Sequence, residues 1–340
     1  MVKRQDQGSA ERCKNQGENG CQQKASKIGP STAYDYCRER LSPFGGLVGL
    51  VKFLDLVKFK EIFEGFYKAP ERMPEMGHYN MVFGILLLLF IGFTRVWHFL
   101  YIQFDSLVCG IFNRVKLPYV TTYWRYVDSL GINQGMSLLM VTSALRERVW
   151  QLCGLSYQTI HINIDTTVET IYGSQHGGRK GHNPKNRGKK GFRPVLCFIE
   201  ETREYFMGKL RKGETIGGEE VSALIRVFKK YLPGCVKKVI LRGDGEFIRW
   251  EAVNAAREEG FHFIFGNKVC APPFAPAGWY KVRKNDAVEY NEVMYQPAGW
   301  DYACRFVSMR IPKDTPSEGS MQLELLEDAN YKYRTFVTDL

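Results

Sequence analysis

Paired cysteines, a phosphate-binding loop and a membrane-length apolar run are all missing from this chain of 340 residues. Its nine cysteines, Cys13, Cys21, Cys37, Cys109, Cys153, Cys197, Cys235, Cys270 and Cys304, include no CxxC pair and no Cys/His ligand cluster. That argues against structural zinc and against a disulfide framework. Cys197, inside Val195-Leu196-Cys197-Phe198-Ile199, reads instead as a small core residue of a reduced protein. No GxxxxGK followed by Ser or Thr occurs, which argues against an ATP-hydrolysing loop. Gly243-Asp244-Gly245 meets Ile248 where a dinucleotide fingerprint needs another glycine. His161, His176, His182 and His262 lack metal-ligand spacing, and Ser156 and Ser174 lack the context of a nucleophile elbow. From Met1 to about Gly29 there is no apolar core for a secretory signal, so residues 1–30 are expected to be a disordered polar tail. The apolar run from Met81 to Thr94 is interrupted by Arg95 and His98, well short of the roughly 20 residues a membrane span needs. A buried helix is predicted there, and no membrane partner. No internal repeat is found.

What is present is a globular composition with 44% hydrophobic residues and a formal charge of +11, at a pI near 9.1. A chain of this size buries one large core or two ordinary ones. Its positive balance favours an acidic partner, of which nucleic acid is the usual one. Helical periodicity runs from about Phe44 to Gln151, opening with Leu50, Phe53, Leu54, Val57, Ile62 and Phe63 among Lys52, Asp55, Lys58 and Glu61. Leu117-Pro118 breaks it. Thr121 or Thr122 is expected to cap a helix from Tyr123 to Leu130, and Gly131 to end it before a helix from about Gln134 to Leu152. That helix, turn and helix fits either a DNA groove or ordinary helix packing.

After Gly154 the texture turns to strands: His161 to Ile171, then Phe192 to Glu200 and Glu204 to Leu210 as a hairpin. A helix from Glu219 to Tyr231, a strand from Val236 to Arg242, a helix from Phe247 to Glu259 and a strand from Phe261 to Phe265 complete a mixed α/β core. Alternation around Glu289 to Tyr295, Tyr302 to Arg310 and Tyr331 to Thr338 predicts an antiparallel β addition.

Two segments end apolar strands in an aspartate: Ile162-Asn163-Ile164-Asp165-Thr166-Thr167 and Val239-Ile240-Leu241-Arg242-Gly243-Asp244-Gly245. Side by side at about 4 Å, two such carboxylates repel by roughly 4 kcal/mol at an effective dielectric near 20. A divalent cation removes that repulsion, and Mg2+ (or Mn2+) on oxygen ligands suits attack on a phosphodiester. The plainer alternative makes Asp165 a strand-end cap and Asp244 a turn residue between glycines. Between Gln175 and Arg193 lie Arg179, Lys180, Lys185, Arg187, Lys189, Lys190 and Arg193, interleaved with five glycines and with no acidic residue before Glu200. A flexible basic loop here would clamp a phosphate backbone, or simply be solvated.

In order along the chain, Asp165-Thr166-Thr167, Tyr172-Gly173-Ser174-Gln175, Gly181-His182-Asn183-Pro184, Lys209-Leu210-Arg211-Lys212-Gly213 and Arg242-Gly243-Asp244-Gly245-Glu246-Phe247 resemble bacterial insertion-sequence transposases of the DDE type. The closest group is the insertion-sequence-thirteen-eighty group, and the resemblance runs from about Leu47 to Leu340. It implies an α/β fold: a ribonuclease-H-like catalytic core over 154–270, a β-rich insertion over 271–340, and a helical N-terminal DNA-binding region over 31–153 that holds the element ends. Asp165 and Asp244 would be metal-binding, catalytic carboxylates for Mg2+ or Mn2+, with Arg179 to Arg193 on the DNA backbone. The partners implied are double-stranded DNA and further copies of the chain, in a bacterial cytoplasm at the nucleoid. Relatives carry a catalytic glutamate on a helix after the strand that resembles Tyr331 to Leu340. Glu324, Glu327 and Asp339 do not take that position, so a truncated transposase, inactive alone, is expected. Its rivals are a non-catalytic DNA-binding remnant or inhibitor of an intact transposase, and a nuclease unrelated to transposition.

Overall fold

In the computed structural model, residues 42–181, 183, 186–281, 283, 287–312 and 331–340 are described. The expected polar tail, His182, Lys185, Glu324 and Glu327 lie outside them. From Phe44 onward the chain forms one unit.

Its first part is helical: α1 Leu47–Leu56, α2 Phe59–Phe66, α3 Gly77–Phe90, α4 Phe99–Ile102, α5 Ser106–Ile111, α6 Val120–Asp128 and α7 Ile132–Leu152. These helices bury Leu54, Phe63, Met81, Leu87, Phe99 and Tyr123 in one apolar cluster. Tyr123 lies flat on Phe99, ring centroids 3.6 Å apart. α3 is the predicted buried helix, although Leu89 and Phe90 at its end are exposed. Among the described residues no helix is long and apolar enough to cross a membrane. α6 starts at Val120 behind an uncapped Tyr119, ahead of the expected threonine cap. Burial of Tyr123 and Tyr126 holds that first turn without a side-chain cap.

Strands follow: β1 Thr159–Thr166, β2 Glu169–Thr170, β3 Arg179–Lys180, β4 Lys190–Phe192, β5 Val195–Ile199 and β6 Glu204–Lys209, then α8 Gly218–Arg226, β7 Lys238–Gly243, α9 Trp250–Glu258 and β8 His262–Asn267. The last strands are β9 Tyr280–Lys281, β10 Glu289–Tyr295, β11 Cys304–Pro312 and β12 Tyr331–Thr338. Nine of them form one mixed sheet in the order β6-β5-β1-β7-β8-β12-β11-β10-β9. β1, β7 and β8 run parallel. The predicted β5–β6 hairpin is antiparallel, and so is the whole β addition, which joins the sheet where Val337 pairs Phe265. Ile160, Ile162, Ile164, Val239, Leu241, Phe263 and Phe265 share a cluster with Val221 and Ile225 of α8 and Val253 of α9. Each such side chain contributes about 1.5–3 kcal/mol by leaving water. Cys197 sits inside this cluster, where burial pushes its thiol pKa up.

Two helices are shorter than the periodicity predicts. α8 gives way to a 3-10 turn over Phe228–Tyr231, which drives Phe228 and Tyr231 into the core together. α9 begins only at Trp250 because Phe247 and Ile248 are spent as buried plugs before it.

The basic glycine-rich stretch is the main correction. Within it Arg179–Lys180 and Lys190–Phe192 are short strands that pair, with Glu169–Thr170 just before it, in a three-stranded sheet β2-β4-β3, and Phe192 bridges to Lys212 after β6. Gly213 explains the docking: a Cβ there would stand 2.4 Å from the Arg179 carbonyl oxygen and 2.6 Å from that of Gly191. Only a bare backbone fits between the strands.

α7 joins the two apolar clusters, with Val141 in the first and Trp150 in the second. Between them the buried Arg146 donates to the carbonyls of Tyr205 and Phe206 and lies 3.2 Å from a Glu204 carboxylate oxygen. Of the two readings of this helix, the contacts shown are those of packing. Replacing Arg146 with leucine leaves these acceptors unsatisfied, so a loss of about 3 kcal/mol is expected in urea denaturation. An unchanged midpoint would show that this strut carries no stability.

Candidate functional site

The β1 sequence alternates Ile160, Ile162 and Ile164 inward with His161, Asn163 and Asp165 on the other face. β7 is apolar through Val239, Ile240 and Leu241, as a strand covered on both faces must be. Their parallel register places Ile164 beside Gly243. Asp165, next to last in β1, and Asp244, the residue after β7, therefore stand at the same end of the sheet on neighbouring strands. The register thus brings the backbones of the two predicted residues side by side.

Both are exposed. Asp165 Oδ1 accepts a hydrogen bond from the Thr166 amide at 2.7 Å. Asp244 Oδ1 accepts from the Glu246 amide at 2.9 Å, a turn that fixes the carboxylate on its own backbone. The Lys268 ammonium lies 3.2 Å from Asp244 Oδ2. Gly245 makes that contact possible, since a Cβ there would stand 2.6 Å from Cγ of Lys268. Exposed carboxylate oxygens with a cation already drawn to one of them fit a divalent ion that keeps most of its waters.

Glu246 is the residue that sequence reading passed over. Its Oε2 accepts from the Thr166 hydroxyl at 2.9 Å and from Arg193 Nη2 at 2.5 Å, and its Oε1 accepts from the Ile216 amide at 3.2 Å. One carboxylate thus ties the end of β1, the end of β4 and the approach to α8 to the turn that carries Asp244. With those oxygens engaged, Glu246 acts as a brace between the loops. Among the described residues, no three His, Cys, Asp or Glu side chains converge as a metal cluster. No spacing rule points to Glu246 or Lys268, because both roles depend on which loops meet.

The seven basic residues divide. Arg179, Lys180, Arg187, Lys189 and Lys190 are exposed. Arg193 is not available to a phosphate backbone as expected: its side chain is 10% exposed and is paired with Glu246. Desolvation explains the difference, since a guanidinium at that depth needs a carboxylate beside it. His161 pairs with Glu201 and His262 with Asp339.

A double-mutant cycle tests the brace. Arg193→Met alone strands the Glu246 charge and is expected to cost about 3–5 kcal/mol in denaturant unfolding. Arg193→Met with Glu246→Leu is expected to cost clearly less than the two single changes added together. Additive losses would mean that the pair is not coupled.

A sequence profile described as Transposase DDE domain group 1 matches residues 120–317. No curated protein sequence matches the chain. Among solved structures it is similar to a piggyBac transposase synaptic complex with hairpin DNA, at 9% identity and a TM-score of 0.35, over 86% of this chain and 51% of that one. It is also similar to a Mos1 transposase paired-end complex with the left transposon end, at 11% identity and a TM-score of 0.23, over 65% of this chain and 69% of that one. The chain spans about half the length of the piggyBac transposase. Because the profile covers more than half of its residues, this chain belongs to the Transposase DDE domain group 1 family.

Proposed function

We propose that this protein acts on the ends of an insertion sequence, binding double-stranded DNA and making a metal-dependent attack on its phosphodiester backbone. The observation that carries this reading is the parallel register that sets Asp165 and Asp244 at adjacent strand ends. The order β6-β5-β1-β7-β8, with β1 in the middle, supports a ribonuclease-H-like core over 154–270. Residues 271–340 would then be the β-rich insertion and 31–153 the helical region that holds element ends. The motif series supports the insertion-sequence-thirteen-eighty group. The same reading has copies of the chain pairing on DNA in the bacterial nucleoid.

Asp165 and Asp244 would hold Mg2+ or Mn2+, which supplies Lewis acidity at the scissile phosphate and orients the attacking oxygen. The protein's part is positioning. Glu246 fixes the turn of Asp244 against the end of β1, so the two carboxylates keep one spacing. Arg179, Lys180 and Lys190 on the small sheet that follows β1, with Arg187 and Lys189 in the turn before β4, would bind the phosphates beside the reacting one. Water attacks first, and the DNA 3′ hydroxyl so freed attacks the target strand. A second reading, a DNA-binding protein without chemistry, uses the same exposed cations and needs no metal. Cleavage of end-bearing DNA by the purified chain separates the two.

Asp165→Asn with Asp244→Asn is expected to abolish Mn2+ binding seen by titration calorimetry, while DNA binding in chelator persists. Retained stoichiometric Mn2+ binding would move the metal elsewhere. Neutralising the five exposed cations is expected to reduce the log–log salt slope of DNA binding by at most about 4.5 units. An unchanged slope would take the small sheet out of the DNA interface.

A further inference from the structure

Beside the cations, the small sheet carries an exposed aromatic residue that the phosphate-binding reading does not use. Tyr172 is 73% exposed just after β2. The Ile171 amide donates to the Lys190 carbonyl at 3.0 Å, which holds Tyr172 alongside Lys189 and Lys190 on the neighbouring strand. Between them is an open cleft of about 320 Å³ lined by Ile171, Tyr172, Gly173, Gly188, Lys189 and Lys190. Its volume falls at the small end of the roughly 300–1,000 Å³ range of ligand sites.

The lining specifies the ligand. Ile171 gives an apolar wall that is held in place, since it packs so closely on Gly178 that a Cβ there would stand 2.1 Å from its Cδ1. Gly173 and Gly188 put no side chain on the rim. Among the described residues no carboxylate lines the cleft, and the two ammonium groups favour an anion. An aromatic face, an apolar wall and two lysines together match a flat ring carried on a phosphate chain. In a duplex each base already stacks on its neighbours, so only an unpaired nucleotide can present its face. The cleft offers little hydrogen-bonding to base edges, so recognition would be tolerant of sequence, as stacking platforms are.

We propose that this cleft is a subsite for an unpaired nucleobase, which stacks on Tyr172 while Lys189 and Lys190 take the phosphates flanking it. The proposal rests on the DNA-binding function above and adds the strand-end nucleotide as its ligand. Seven residue steps separate Asp165 from Tyr172, at most about 24 Å of chain. The base so held would lie within a few nucleotides of the reacting phosphate.

The test compares one duplex in two forms, blunt and with a three-nucleotide single-stranded flap carrying 2-aminopurine, on the full chain. The wild-type protein is expected to bind the flapped form more tightly and quench its fluorescence. Tyr172→Ala should weaken flap binding by about 5- to 150-fold, the equivalent of about 1–3 kcal/mol of stacking per base. It should leave blunt binding within twofold and abolish the quench, and Tyr172→Phe should restore both. Lys189→Gln with Lys190→Gln should weaken both forms. Equal affinity of the wild type for the two forms, or an equal loss on both in Tyr172→Ala, overturns the subsite alone. If the wild type binds neither form, DNA binding itself fails and the subsite with it.

Discussion

Parallel pairing of β1 with β7 is the constraint from which the site follows. Two parallel strands in register end at the same height, and the residues that leave them are neighbours whatever the loops beyond them do. With Ile164 beside Gly243, Asp165 near the end of β1 and Asp244 just past β7 stand side by side. A slip of one residue would separate the two aspartates and also turn the β1 isoleucines out of the core, because side chains alternate across the sheet. Burial of Ile160, Ile162 and Ile164 against α8 and α9 therefore fixes the position of a polar site that contributes little stability of its own.

Charge at that end of the sheet is balanced in two different ways. Asp244 is exposed, and its contact with Lys268 is a solvated pair of the kind that contributes roughly 0–1 kcal/mol and is readily exchanged. Glu246 and Arg193 are nearly buried, so separating them leaves an uncompensated charge out of water. The weak pair sits on an exposed carboxylate at the strand end. The strong pair sits one layer behind, where displacement would loosen both strand ends. This division separates a replaceable counter-ion from a fixed brace.

Much of this was legible in the chain itself. β10 and β12 fall where alternation places them, and the two aspartates were readable as strand ends because apolar runs lead into both. Legibility failed where tertiary contact overrides local pattern. Glycines among lysines read as a flexible loop, yet Gly213, distant in sequence, provides the narrow place on which those strands pack. Phe247 and Ile248 carry helical periodicity but serve as plugs. Arg193 looked like its six basic neighbours, and only the fold, by putting Glu246 beside it, removes it from their surface. Glu246 itself stands in a motif without any local sign of the three loops that it joins.

That last contact gives the small sheet a role that its size alone would not allow. Strands of two or three residues, with few buried side chains, are marginal by themselves. β4 runs directly into Arg193, and Arg193 closes on the turn of Asp244. The surface bearing the five exposed cations is thus anchored through one ion pair to the turn that carries the second aspartate. The same Glu246 carboxylate accepts from the Thr166 hydroxyl and the Ile216 amide, so the anchor reaches the end of β1 and the approach to α8 as well. The small sheet and the turn of Asp244 are joined through the side chains of Arg193 and Glu246.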